Sequence, residues 1–348
     1  MTTEKRSRLT FASDYMEGAH PLIMRRLAET NLVKSAGYGL DGFSESARAK
    51  IRAACGTPEA EVFFLAGGTQ TNAVMIDALL RPWQGVISAR SGHISVHEAG
   101  AIEFGGHKVL ALPHKDGKLA AEDIRACVEE YRQDENRDHM VMPGMVYLSH
   151  PTEYGTLYSL AELRAISEVC RDCGIPLYLD GARLAYALAC PENEITLPDL
   201  GALCDAFYIG GTKCGALFGE AAVIPDRRLV PHLFTMIKQH GALLAKGRIT
   251  GLQFDVLFTD GLYQRIGRPA IEAACRIREA LAARGYDLTP FSPTNQIFLR
   301  MDRDKAEALS EKAEMSFIER TEDGRVIMRI VTSWATTPEE AERLIGCL

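Results

Sequence analysis

Residues 204–223 read CDAFYIGGTKCGALFGEAAV. The run Ala206–Ile209 is short and apolar, as expected for a strand buried on both faces. Gly210, Gly211 and Thr212 follow, then Lys213, and then no charge until Glu220. A lysine in such a place is either an ordinary turn residue or one kept for its amine. Among small apolar neighbours an ammonium loses hydration, its pKa falls, and the free amine attacks carbonyl groups. That second reading needs a carbonyl compound, which the rest of the chain must bind.

Working outward, short apolar runs alternate with amphipathic ones. Glu61–Leu65, Gly85–Ala89, Lys108–Leu112, Met145–Ser149, Pro176–Asp180 and Ala206–Gly210 are predicted strands. Thr71–Leu80, Ala120–Tyr131 and Leu160–Cys173 are predicted helices between them. The alternation predicts an α/β fold with a mostly parallel sheet covered on both faces. Leu229–Lys246 and Arg268–Arg284 have the spacing of long helices. Beyond Tyr286 the texture changes to strands at Gln296–Arg300, Ser316–Arg320 and Val326–Val331, with helices at Lys305–Lys312 and Pro338–Leu348. The expected division is an N-terminal arm and large domain over 1–255 and a small C-terminal α+β domain over 256–348.

The chain has 348 residues, 47% of them hydrophobic, enough for a substantial core. A net charge of −7 argues against a nucleic-acid surface. No uncharged apolar stretch is long enough to span a membrane. The start, MTTEKRSRLTF, lacks the apolar region of a secretory signal, and the nine cysteines are scattered. Both features suit reduced thiols in the cytoplasm. Cys170 and Cys173 have CxxC spacing but sit in a helical pattern with no second pair facing them.

In such sheets ligands bind beyond the carboxyl ends of the strands. After Leu65 comes Gly67-Gly68-Thr69-Gln70 opening a helix, which either binds a phosphate or is a glycine turn with a threonine cap. It matches neither a dinucleotide fingerprint nor a P-loop. After Leu179 comes Asp180-Gly181-Ala182-Arg183. A buried aspartate needs a partner, either Arg183 or a ligand cation such as a pyridinium nitrogen. After Ala89 come His93 and His97. Their spacing suits a flat ring or a metal, but no third ligand is evident, so no metal is expected. Lys213, Asp180, a phosphate cradle and His93 together match the needs of pyridoxal 5′-phosphate (PLP): an imine-forming amine, an anion for the pyridine nitrogen, a phosphate site and a stacking face.

These motifs, with Ser13-Asp14, Tyr38-Gly39, Glu98-Ala99-Gly100, Thr212-Lys213, Gly247-Arg248 and Arg329 in MRIVT, resemble the fold-type-I PLP enzymes. Within them, the chain resembles the L-threonine aldolase family of β-eliminating lyases, over roughly residues 11–335. The resemblance implies that Gly68, Thr69 and Gln70 hold the cofactor phosphate, His93 stacks on the ring, Asp180 meets the pyridine nitrogen and Lys213 forms the Schiff base. Thr212 and Arg183 are also implied cofactor contacts. Ser13, Arg183 and Arg329 are implied to hold the substrate carboxylate. Arg248, and the region of Tyr38, are implied to reach a neighbouring subunit's cofactor, which makes a homodimer or homotetramer the expected form.

The activity so implied is retro-aldol cleavage of a β-hydroxy-α-amino acid, with threonine or allo-threonine giving glycine and acetaldehyde. One departure concerns the hydroxyl's base. Where the family carries a second active-site histidine, this chain has Glu153, with His150 three residues earlier. Glu153, His93 and His150 are the candidates. The nearest rival is a PLP-dependent β-eliminating lyase or aminotransferase that breaks the Cα–H bond with Lys213 as base. A non-catalytic binding protein on the same fold is the rival from another class.

Overall fold

The strands Leu177–Gly181, Ala206–Gly210 and Glu220–Ile224 are buried at every position, which is why their sequences run apolar rather than alternating. They lie at the centre of a seven-stranded sheet in a computed structural model that describes residues 9–348. Much of the MTTEKRSRLTF segment, expected to lack an apolar leader, lies outside the described residues. Across the sheet the order is Glu61–Leu65, Glu220–Ile224, Ala206–Gly210, Leu177–Gly181, Met142–Ser149, Gln84–Ala89, Val109–Leu112. Glu220–Ile224 runs antiparallel to both of its neighbours, and the others run parallel to one another. The expectation of a mostly parallel sheet holds, and Glu220–Ile224 is the strand the sequence reading passed over.

Both faces are covered. On one, Ile51, Ile166 and Leu200, from the helices Gly42–Cys55, Leu160–Cys173 and Leu197–Leu203, pack with Val146, Leu177 and Phe207 of the sheet. On the other, Val74, Met75 and Ile76 of the helix Gly68–Leu79 pack with Tyr147, Tyr178 and Tyr208. Leu160–Cys173 shows how local chemistry fixes such a helix. Ser159 and Glu162 form a capping box, and Gly174 ends the helix at φ 67°. Its buried stripe is Leu163, Ile166, Val169, Cys170 and Cys173, so the CxxC spacing here serves the core. Each fully buried aliphatic side chain of this stripe contributes about 1.5–3 kcal/mol.

One expected element is corrected. Leu229–Lys246 is not a single helix: Leu233–Gln239 is helical and Arg248–Leu257 is another helix. Gly241 adopts φ 66°, and its N–H donates to the Lys238 carbonyl while that of Ala242 donates to Ile237, closing the first helix. The apolar periodicity continues through the break because the chain beyond it still packs inward at Ala242.

A second sheet has the order Ser316–Arg320, Val326–Val331, Gln296–Met301, all antiparallel. Ile277 and Leu281 of the helix Arg268–Ala283 and Leu344 of Pro338–Ile345 pack on Ile297, Leu299 and Ile330. Helix Arg248–Leu257 runs across residue 255. The N-terminal segment laces the two sheets together. Leu9–Thr10 pairs in parallel with Ala313–Glu314. The Phe11 carbonyl accepts from Val331 N–H at 2.8 Å, and His20 N–H donates to the Gly215 carbonyl at 2.8 Å.

Candidate active site

Lys213 sits in a loop that folds back on itself between Gly210 and Glu220. Gly211 and Thr212 N–H both donate to the Gly219 carbonyl, at 3.0 and 3.1 Å. Gly219 has φ 118°, and a Cβ there would lie 2.4 Å from Thr250 Cγ2, so only glycine serves. The Tyr186 hydroxyl donates to the Lys213 carbonyl at 2.6 Å. Burial pushes the Lys213 amine below its ordinary pKa, and the Arg183 charge adds to this, against Asp14, Asp180 and Glu220. Lys213 lines a cavity of about 260 Å³ together with Gly68, Thr69, His93, Glu153, Asp180, Arg183 and Thr212. A larger one of about 640 Å³ shares Lys213, His93, Glu153 and Arg183 and extends to Arg329, His97, His114 and Phe317.

Asp180 is buried at the end of its strand. Its Oδ2 accepts from the Tyr147 hydroxyl at 2.7 Å and from Asn72 Nδ2 at 3.0 Å, and its Oδ1 accepts from Ala182 N–H at 2.9 Å. Burial would raise its pKa, but the His93 charge and hydrogen bonds from Tyr208, Asn72 and Tyr147 outweigh it and hold the carboxyl below its usual range. The partner is therefore not Arg183, which the sequence left open. Asn72 spends both its donors here: Nδ2 also donates to Glu98 Oε1 at 2.7 Å, while Oδ1 accepts from Tyr178 at 3.0 Å.

Glu98 Oε1 also meets His93 Nδ1 at 2.8 Å, which fixes the imidazole at the cavity wall. Glu153 is brought to the same wall. Its Oε1 accepts from His93 N–H at 2.8 Å and from the Ser149 hydroxyl at 2.7 Å. Both contacts fall on one oxygen, and Glu153 lines both cavities. Burial pushes the Glu153 carboxyl up, partly offset by Ser149. His150 points elsewhere: it is buried, and its Nε2 lies 3.0 Å from Asn193 Oδ1.

Arg183 donates from Nε and Nη2 to the two oxygens of Asp14, at 2.7 and 3.0 Å. Asn295 Nδ2 donates to the same Asp14, which is fully buried. Arg329 has one side-chain partner, Gln296 Oε1 at 2.9 Å, and its Nε is buried without one. Burial pushes Arg329 down to about 10, with the Arg183 charge adding. The Ser13 hydroxyl is also buried and unpartnered. Arg183 is thus paired with a carboxylate while Arg329 has only a neutral side-chain partner, which leaves a net positive place for an anion.

Of the other expected residues, Thr212 lines the smaller cavity, while Gln70, Arg248 and Tyr38 stand apart. Gln70 Oε1 accepts from Ala66 N–H at 3.2 Å and is not among the residues lining either cavity. Thr212 donates its hydroxyl proton to Glu220 at 2.7 Å. Arg248 is held by the Val33 and Thr30 carbonyls and the Thr30 hydroxyl at 2.8–2.9 Å, over the Phe43 ring. Tyr38 lines a separate cavity with Arg48, Phe64 and Phe234. The sequence reading passed over Asn72, Tyr147, Tyr208 and Glu220. Asn72 was open to inference from its place just after the glycine turn. Glu220 was legible as the first charge after the lysine loop.

A crossover α/β sheet with a buried lysine and an anchored aspartate at its carboxyl edge, and with Arg183 and, from the second sheet, Arg329 on the same cavity as the lysine, defines a fold-type-I enzyme. The chain belongs to the beta-eliminating lyase family, whose profile matches residues 10–319. It is 32% identical over 337 residues to the low-specificity L-threonine aldolase of a Pseudomonas species, covering 95% of this chain and 94% of that one. It is also 32% identical over 340 residues to that of Pseudomonas aeruginosa, covering 96% and 95%. A solved threonine aldolase structure from Leishmania major superposes with a TM-score of 0.93 at 43% identity, covering 97% and 98% of the two chains. Aspartate aminotransferase of Thermus thermophilus, 18% identical, shares the fold with a TM-score of 0.71. Among the described residues no helix is long and apolar enough to cross a membrane.

Proposed function

We propose that the protein is a PLP-dependent aldehyde-lyase that cleaves β-hydroxy-α-amino acids, threonine or allo-threonine, to glycine and acetaldehyde. The observation that carries this reading is the meeting of Lys213, Asp180, the Gly68–Thr69 turn and Glu153 in one cavity that opens onto Arg329. The residues fit the cofactor. Asp180 is buried yet kept anionic, which is what a protonated pyridine nitrogen needs. A Cβ on Gly68 would lie 3.1 Å from the Tyr208 hydroxyl, so the bare backbone keeps the turn open to a phosphate. When bound, PLP supplies an electron sink for the pair left on Cα as a bond to it breaks.

The chain's own residues do the rest. Lys213 presents an amine whose pKa burial lowers, which favours its free form. Arg183, oriented by Asp14, and Arg329 with Ser13 grip the substrate carboxylate. His93, oriented through Glu98, walls the site. Glu153 Oε2 takes the β-hydroxyl proton as the Cα–Cβ bond breaks and the aldehyde leaves, and a proton delivered to Cα completes glycine. Gln70, Thr212 and Arg248 belong to the same reading as cofactor contacts, Arg248 toward a neighbouring subunit of a homodimer or homotetramer. A division into a large and a small domain is supported by the two separate sheets, though the helix Arg248–Leu257 crosses the expected boundary at 255/256. A cytoplasmic location is supported by nine free cysteines, most of them buried.

Incubating the purified protein with PLP and a panel of β-hydroxy amino acids tests the function. Glycine and the matching aldehyde are expected. Pyruvate with ammonia, or a keto acid, would show that the Cα–H bond breaks instead.

A further inference from the structure

Glu220 opens the antiparallel strand that lies between the lysine strand and the strand leading to the glycine turn. It pairs with Gly210 on one side and Leu65 on the other. Its side chain is buried and lines the same cavity as Gly68, Thr69, Thr212 and Lys213. Its Oε2 accepts from Gly211 N–H at 2.9 Å and its Oε1 from the Thr212 hydroxyl at 2.7 Å. Thr212 Oγ1 in turn accepts from Gly219 N–H at 3.0 Å. The only proton of the Thr212 hydroxyl therefore points at Glu220 and not into the cavity.

Neither hydrogen-bond partner of Glu220 is a cation. The charged groups that face it are Lys213 on the loop and Asp180 on Leu177–Gly181, two strands away in the sheet, one attracting and one repelling. Tyr178 and Tyr208 on the sheet, Cys214 on the loop and Tyr263 from the helix Leu262–Arg265 also feel its charge. Burial raises the carboxyl to about 7, with Thr212, Gly211 and Lys213 opposing the rise. A carboxylate here and a phosphate dianion at the Gly68–Thr69 turn would share one small desolvated cavity. Like charges so placed do not both persist, and the carboxyl is the group that neutralises.

We propose that Glu220 takes up a proton whenever a phosphate group occupies the Gly68–Thr69 turn, and that this turns the Thr212 hydroxyl toward the anion. The proton comes from solvent and binds Glu220 Oε1. The new O–H donates to Thr212 Oγ1, which still accepts from Gly219 N–H, and the Thr212 hydroxyl then donates into the cavity. Glu220 is thus a positioning residue, acting through Thr212, and anion binding becomes linked to pH. The inference rests on the reading of the glycine turn as a phosphate cradle.

The test uses pyridoxine 5′-phosphate, the alcohol analogue of the cofactor, which cannot react with Lys213. Binding heats measured near about pH 8 in buffers of different ionisation enthalpy count the protons taken up. The wild type is expected to take up about one proton more than Glu220→Gln, whose amide mimics the protonated acid. Relative to the variant, wild-type affinity is expected to fall about tenfold per pH unit above about pH 7. The ligand's own titration is common to both proteins and cancels. Equal proton counts and parallel pH profiles overturn the inference while leaving the cradle standing. Absence of binding to both proteins overturns the cradle and the inference together. If Glu220→Gln fails to fold, the wild-type infrared difference spectrum decides: a carboxylic-acid carbonyl band must appear with ligand, and its absence refutes the proposal.

Discussion

The Arg183 guanidinium and the Asp14 carboxylate face each other through two hydrogen bonds, Nε to Oδ2 and Nη2 to Oδ1, in a place from which Asp14 has no access to solvent. This pair sets the angle at which Arg183 meets the cavity. Asp14→Ala would leave a buried guanidinium uncompensated beside Arg329, at a cost of about 3–5 kcal/mol in stability. Denaturant melts should record that loss. Steady-state kinetics should show KM for threonine raised by about tenfold or more, since a misaimed carboxylate grip weakens binding. Unchanged stability and KM would remove Asp14 from its orienting role.

Lys213→Ala tests the centre of the site. The wild-type protein incubated with PLP should be fixed by borohydride at the peptide containing Lys213, and the variant should not be. Mass spectrometry of the digested proteins reads the outcome. Reductive labelling of the same peptide region in the variant would move the amine to another residue.

Glu153 makes a prediction with a sign. As a base it works deprotonated, and burial places its pKa above the ordinary glutamate range. Turnover should therefore fall as pH drops through that raised value, giving an acid limb at higher pH than an exposed glutamate would. Glu153→Gln should lower kcat by about tenfold or more and abolish this limb, with glycine binding retained. A variant that keeps both the parent rate and the acid limb returns the role to His93.

Arg248 lies away from both cavities of its own chain, held over Phe43. If it serves a neighbour's site, mixing Arg248→Ala with Lys213→Ala chains should restore activity above either alone through hybrid assemblies. Subunit exchange followed by assay checks this, and no recovery after verified exchange argues for a purely structural Arg248.

His150 is buried and neutral, with its pKa pushed down to about 4 by burial. A histidine held below its unfolded value stabilises the fold above that value, and the stability is lost as pH falls toward the folded one. Between about pH 7 and about pH 5 the wild type should lose about 2 kcal/mol from this group. Urea titrations of the wild type and His150→Gln should show the variant free of that part of the slope.

The sheet was legible because buried parallel strands write themselves as apolar runs and the site residues follow them directly. Lys213, Asp180 and the Gly68–Thr69 turn could be placed at one edge before any coordinates. The rest depended on contacts across the chain. Nothing in the sequence near Asp180 names Asn72 or Tyr147 as its partners, because they come from other elements brought together only by sheet order and helix packing. Arg183 had an aspartate in its own motif, and the sequence left that pairing open, yet the one it joins is Asp14. The split of Leu229–Lys246 escaped because periodicity reports which side faces inward, while Gly241 decides where the helix stops.

The lacing of the N-terminal segment has a consequence for synthesis. Asp14 emerges first, but its partners Arg183 and Asn295 lie 169 and 281 positions later. Until then a future buried carboxylate waits in water, and the Phe11 carbonyl likewise waits for Val331 N–H. Long-range closures of this kind are slow steps in folding. A nascent chain therefore makes Asp14 long before residue 295, and only from then on does the buried carboxylate have its full set of partners.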